Sequence, residues 1–258
     1  MHRLREFLLK SILVINPNTT ESMTHAIGLA ARSCASPDFE ILVSQPSFGP
    51  RSIEGHFDEV IAAAGVAEQV RLHAERPLAG VVIACFGDPG LDAAREATDA
   101  PVLGIAEAAF HAASMLATGF SVVTTMTRTC ILAERLVQRY GFERHCRGIH
   151  GTDIPVLALE SDPEQVLDVL ETSAREAMLR DRSGAIVLGC AGMAAQCYAL
   201  QDRLGVPVID GVAVAVKWIE ALSSLNLRTS KRGDYADPLP KEYLGWSAPL
   251  GWPAKSGF

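Results

Sequence analysis

Two stretches decide the reading of this chain: Val81-Val82-Ile83-Ala84-Cys85-Phe86-Gly87 and Ala185-Ile186-Val187-Leu188-Gly189-Cys190-Ala191-Gly192. Each is a short apolar run that meets a cysteine and breaks at glycine. Near-continuous apolar runs of this length mark parallel strands covered on both faces. A helical stretch follows each, then a strand opened by proline, Pro101-Val102-Leu103-Gly104 or Pro207-Val208-Ile209-Asp210. The proline lies 16 residues after Cys85 and 17 after Cys190. A single thiol at a strand end is ordinarily core packing. Two at matching places of a repeat predict a pair facing one pocket, and such a pair is suited to moving protons.

Outward from these runs the same order of elements occurs twice. Residues 11–15 read as a buried strand ending in Asn16-Pro17-Asn18-Thr19-Thr20, whose Asn and Thr suit the N-cap of a helix over 21–33. A strand over 39–44, a loop over 46–55 and a helix over 57–74 follow, the helix with Ile61, Ala64, Val70 and Leu72 on its apolar side. After the strand at 101–105 and a helix over 107–118 the pattern restarts. It runs through a strand at 120–124, a helix at 128–140, a weak strand at 154–159, a helix at 163–180, the second cysteine strand at 184–189 and a helix at 212–222. Asn16 precedes Cys85 by 69 residues, and Thr124 precedes Cys190 by 66.

Strands alternating with helices predict an α/β fold of parallel βαβ units with right-handed crossovers. The expected architecture is two flavodoxin-like lobes related by a pseudo-twofold axis. The first spans 11–118 together with the returning C-terminal helix, the second 119–230, and an extended tail occupies 231–258. Tyr243, Trp246 and Trp252 in that tail are expected to pack on the body or on a neighbouring copy. Open parallel sheets bind ligands outside the C-terminal ends of their strands. Both polar strand ends and both cysteines are therefore expected to converge on an interlobe cleft.

Composition narrows the function. The 258 residues are 48% hydrophobic and 21% charged, with a net charge of −7 and no dense Lys/Arg block, which argues against nucleic acid as a partner. No run approaches the roughly 20 apolar residues of a membrane span. Residues 1–10 hold only a three-residue apolar run and read as a leader to the first strand, so a cytoplasmic location is expected. Cysteines stand at 34, 85, 130, 146, 190 and 197, with neither a CxxC nor zinc-like Cys/His spacing, so no metal is expected and the thiols are expected to be reduced.

A cysteine followed by a helix start meets the positive end of that helix, which is expected to favour thiolate. The charge on one thiol would keep its partner protonated. A thiolate on one face of a carbon and a thiol on the other form a base–acid pair that can invert a stereocentre without a cofactor. Gly87, Gly189, Ala191 and Gly192 leave room for backbone N–H groups to approach a ligand and hold an enolate oxygen. Cys34, Cys130, Cys146 and Cys197 lack this setting and read as packing. A Cys85–Cys190 disulfide is the alternative, and it would block the cleft.

Four segments together carry a resemblance: Asn16-Pro17-Asn18-Thr19, Cys85-Phe86-Gly87-Asp88-Pro89-Gly90, Leu188-Gly189-Cys190-Ala191-Gly192 and Pro207-Val208-Ile209-Asp210-Gly211. In this order they resemble the Asp/Glu/hydantoin racemase superfamily, and within it the hydantoin and allantoin racemase branch, from residue 11 to the tail. The resemblance implies a cofactor-independent racemase whose two cysteines are Cys85 and Cys190. Aspartate and glutamate racemases usually read Ala-Cys-Asn-Thr and Gly-Cys-Thr at these places. Here the slots hold Phe86-Gly87 and Ala191, which suits a flat uncharged ring better than a zwitterion. Arylmalonate decarboxylases, which are similar, keep only the second cysteine.

The implied activity is racemisation of 5-substituted hydantoins, with allantoin one such substrate. Its rivals are acidic amino-acid racemisation, a single-cysteine isomerase or decarboxylase, and a non-catalytic small-molecule binder. Asn16, Phe48, Phe86, Gly87, Thr124, Thr125, Ala191 and Gly192 are the expected substrate contacts. Asn16, Thr124 and Thr125 would meet ring carbonyl and N–H groups, or else serve caps and turns. Phe48 would cover the ring or anchor the core. His56 reads as a solvated or capping residue; Asp88 and Asp210 would orient backbone groups, Asp210 by capping the helix after Gly211. Relatives commonly form homo-oligomers, which the resemblance implies here too.

Overall fold

The computed structural model describes residues 9–252. All but the last two residues of the leader read over 1–10 lie outside that range, as do the final six of the tail. In the first lobe β1 (Lys10–Ile15), β2 (Phe39–Ser44), β3 (Leu78–Ile83) and β4 (Val102–Gly104) form a parallel sheet in the order β2-β1-β3-β4. In the second, β5 (Phe120–Thr124), β6 (Cys146–Gly151), β7 (Ala185–Leu188) and β8 (Val208–Ile209) form another, β6-β5-β7-β8. The two orders are the same, as a duplicated doubly wound fold requires.

The repeat holds to the residue. The Ala84 N–H donates to the Ile15 carbonyl at 2.8 Å, and the Gly189 N–H donates to the Val123 carbonyl at 2.8 Å. Cys85 and Cys190, each next in sequence, thus occupy equivalent positions just past β3 and β7. Asn16 and Thr124 are equivalent in the same way.

Eight α-helices cover the sheets among the described residues: α1 (Glu21–Cys34), α2 (His56–Leu72), α3 (Leu91–Ala97), α4 (Ile105–Leu116), α5 (Cys130–Arg139), α6 (Pro163–Asp181), α7 (Cys197–Leu204) and α8 (Gly211–Ser224). Two of them are exchanged. On leaving β4, α4 packs Ala109, Phe110 and Ala113 against Phe120, Val122 and Val187 of the second sheet. Helix α8 returns from β8 and packs Val212, Ala215, Val216 and Ile219 with Ile12, Val14 and Val82 of the first. The sequence pattern carries no sign of the crossing of α4. Phe110 is fully buried and stacks on Phe120 with ring centroids 5.5 Å apart. Separating the lobes would expose such side chains at about 1.5–3 kcal/mol each, so the exchange makes the cleft walls one rigid unit.

Three local expectations differ from the structure. Residues 154–159 are not a strand: Asp153 takes a positive φ of 55° and Val156–Glu160 form a 3-10 turn that buries Val156 and Leu159. The edge strand is instead Cys146–Gly151, paired among the described residues only with β5. On α2 the buried side chains are Ala62, Val66, Gln69 and Val70, whereas Leu72 is exposed. Thr20 is the N-cap of α1 without a side-chain capping bond, because its hydroxyl donates to the Arg51 carbonyl at 2.7 Å.

The tail packs on the first lobe. Lys231 Nζ donates to the Glu96 carbonyl at 2.6 Å near the end of α3, where a cation meets the negative helix end. Tyr235 donates to Asp92 at 3.0 Å, and Trp252 lies under Arg71 at 4.9 Å.

Candidate active site

The C-terminal ends of both sheets border one cavity of about 60 Å³. Cys85 and Cys190 both line it, with Asn16, Phe86, Gly87, Thr124, Thr125 and Ala191. Two segments roof it. Glu54, in the loop before α2, accepts the Val156 N–H at 2.9 Å and so joins two segments whose Ile53 and Val156 both line the cavity. The Asn16-Pro17-Asn18-Thr19-Thr20 turn holds that loop through Thr19 and Thr20 hydroxyls on the Pro50 and Arg51 carbonyls.

All six cysteines are free thiols, so the cleft is not closed by a disulfide. Burial pushes the Cys85 thiol up to about 12, and the Gly87 N–H opposes it; the Cys190, Asp88 and Glu59 charges add to the rise. Burial likewise pushes Cys190 up to about 11, against the Gly192 N–H, with Glu54 adding to it. The expected thiolate-favouring helix end is therefore outweighed. Cys85 is followed by a turn, with α3 starting only at Leu91. Desolvation of a sulfur anion exceeds what one backbone donor returns. Both groups therefore rest as thiols, the Gly87 and Gly192 N–H groups offsetting only part of the cost of charge.

Asn16 is 1% exposed, and its amide donates to Asn18 Oδ1 and Thr24 Oγ1, both at 2.9 Å. Thr124 donates to the Gly189 carbonyl at 2.9 Å. Both side chains thus shape the strand ends and have little capacity left for a ligand. Thr125 differs: among the described residues its hydroxyl makes no side-chain bond, and it faces the cavity. Phe86 lines the cleft and also packs edge-on against Phe110, centroids 5.6 Å apart.

Phe48 does not line the cavity. It meets Trp246 of the tail edge-on, with ring centroids 5.4 Å apart. Gly192 does not line the pocket, and its N–H lowers the Cys190 pKa against the rise from burial. Asp88 accepts from the Ala106 and Glu107 N–H groups at 3.1 and 2.9 Å and from the Tyr140 hydroxyl at 2.9 Å, capping α4 across the chain. Asp210 caps its own helix α8 through Val212 and Ala213. His56 is exposed at the start of α2 and does not line the cavity.

Sequence reasoning missed Asn18, Met23, Glu59, Thr129, Leu132, Ala133 and Val156. Asn18 carries only a turn signal, and the others lie in no local motif. Among the described residues no Lys, Arg or His lines the cavity. Nor do three His, Cys, Asp or Glu side chains cluster closely enough to hold a metal ion, and no described helix is long and apolar enough to cross a membrane.

A family model described as Asp/Glu/Hydantoin racemase matches residues 12–219. A hydantoin racemase from Pseudomonas sp. (strain NS671) is 47% identical over 234 residues, 91% of this chain and 94% of the relative. The structure of an allantoin racemase from Klebsiella pneumoniae matches with a TM-score of 0.91 at 53% identity, over 94% of this chain and 99% of that one. An allantoin racemase from Pseudomonas fluorescens matches with a TM-score of 0.88 at 39% identity, over 91% and 100%. This chain belongs to the Asp/Glu/hydantoin racemase family and is an enzyme of the isomerase class.

Proposed function

We propose that the protein inverts C5 of 5-substituted hydantoins, allantoin among them, with Cys85 and Cys190 as the proton-transferring pair and no cofactor. The observation that carries this reading is the equivalence of two thiols, each one residue past a matched 2.8 Å strand bond, on the lining of one cleft without a cation. A substrate ring between them presents one face of C5 to each sulfur. The sulfur that has lost its proton removes the C5 proton, and the opposite thiol delivers its own to the other face. The Thr125 hydroxyl and strand-end N–H groups meet the carbonyl oxygen, where enolate charge gathers. An acidic amino acid would leave its carboxylate without a counter-charge in this lining, which favours the neutral ring.

The same reading includes a cytoplasmic location and assembly with further copies of the chain. Exposed Leu29, Leu116 and Tyr198 around an apolar groove on the opposite side of Ala191 support the second. Polarimetry on enantiopure allantoin, 5-methylhydantoin, aspartate and glutamate tests the activity. Loss of rotation with the hydantoins alone is expected; loss with the amino acids alone would overturn the reading.

A further inference from the structure

One carboxyl in the cleft has no partner. Glu59, in the first turn of α2, lines the cavity beside Cys85, Phe86 and Gly87. A Cβ placed on Gly87 would lie 3.3 Å from Glu59 Oε1 and 3.9 Å from the Cys85 sulfur, so carboxyl and thiol border the same small gap. Among the described residues Glu59 makes no side-chain hydrogen bond and no ion pair. Burial raises its pKa, against the more distant charges of His56, Arg135 and Arg139.

The other polar side chains of the cleft define what Glu59 is left to do. Asn16, Thr124 and Thr129 spend their donors on Asn18 and Thr24, on Gly189 and on Met126 respectively. Asn18 accepts twice through Oδ1 and gives one amide hydrogen to the Met23 sulfur, which leaves it one donor. Thr125 keeps its hydroxyl. The free side-chain groups are thus two that can donate to ring carbonyls and one strong acceptor, Glu59. That acceptor also borders the depression outside the cleft formed by Val60, Leu132 and Arg135, so it stands where a substituent on C5 would run outward.

We propose that Glu59 selects substrates whose C5 substituent carries N–H donors, the ureido group in particular, by accepting those N–H bonds on its carboxylate. The inference rests on the hydantoin reading and adds to it the class of substituent. A ureido group offers two parallel N–H donors that match the two carboxylate oxygens. An alkyl substituent would leave a half-buried carboxylate facing carbon, a costly placement.

The test is racemisation of allantoin and of 5-methylhydantoin by the wild type, Glu59→Ala and Glu59→Gln, followed by circular dichroism. Charge-assisted bonds of this kind set a loss of roughly tenfold. The ratio of kcat/KM for the ureido over the methyl substrate is expected to fall by at least about fivefold in both variants, mainly through KM for allantoin. Glu59→Gln, of the same size, supplies the reading if Glu59→Ala does not fold. A smaller change in the ratio overturns the assignment, as does a wild type that racemises 5-methylhydantoin and not allantoin. A wild type that racemises neither overturns the function beneath it, so the two failures are distinct.

Discussion

Past β3 the chain runs Ala84-Cys85-Phe86-Gly87-Asp88; past β7 it runs Gly189-Cys190-Ala191-Gly192-Met193. The backbone places the two sulfurs alike, yet different devices hold them. On the first wall Asp88 turns with a positive φ of 44° and reaches across to cap α4, while Phe86 leans on Phe110. On the second a 3-10 turn over Ala191–Gln196 follows directly, and the space at Gly192 is bordered by Leu159, Met23 and the Cys190 sulfur. Glu59 belongs to the first wall alone. A racemase needs equivalent proton donors on two faces of a carbon, but the substituent on that carbon must leave the cleft in one direction. Under the proposed two-thiol reading, symmetric thiols in asymmetric walls would meet both demands.

Adding a methyl to the second wall breaks the comparison most sharply. In Gly189→Ala the new Cβ would overlap Thr124 Cβ, so the strand end must shift. Overpacking of that kind costs about 1–3 kcal/mol, and displacing Cys190 is expected to lower racemisation by roughly a hundredfold. The equivalent Ala84 already carries its methyl, fully packed at 2% exposure. Ala84→Gly is expected to cost only about 1 kcal/mol. Thermal melts and initial rates for both variants check this, and equal effects would mean that the walls are interchangeable.

A smaller effect separates the two caps by pH. Burial raises the Asp88 pKa to about 7, outweighing the donors from Glu107, Ala106 and Tyr140. In the unfolded chain an aspartate releases its proton near pH 4. Between about 4 and 7 the folded state therefore holds a proton that the unfolded state has shed, so this group's contribution to stability falls as pH rises through that window. Asp88→Asn cannot titrate and loses one acceptor for the α4 amides. Its stability deficit in urea melts is expected to be largest near pH 4 and to shrink toward pH 7. A deficit that grows with pH would show that the carboxylate, not the acid, is the form the fold favours.

The sequence showed the frame of this site better than its furnishing. The cysteine strands were legible because buried parallel strands read as apolar runs, and the repeat of landmarks placed both thiols in one cleft. Cys146-Arg147-Gly148-Ile149-His150-Gly151 hid as a strand because an edge strand bonded to one neighbour tolerates glycine and charge. The crossing of α4 was not legible because an apolar helix shows that it is buried, not which sheet buries it. Phe48 was misplaced because its partner, Trp246, lies 198 residues away. Thiol ionisation was misjudged because a local helix-end argument contains no measure of desolvation. Glu59 escaped notice because an acidic residue in the first turn of a helix ordinarily serves the helix dipole.

The most direct measurement is C5–deuterium exchange with racemisation, on each enantiomer of a hydantoin in D₂O, for Cys85→Ser and Cys190→Ser. With one thiol per face, both variants should lose racemisation by roughly a thousandfold or more. Each should still exchange the C5 proton of one enantiomer, and the two variants should retain opposite enantiomers. Near-normal racemisation by either variant, or exchange of the same enantiomer by both, would contradict the placement of Cys85 and Cys190 on opposite faces of the reacting carbon.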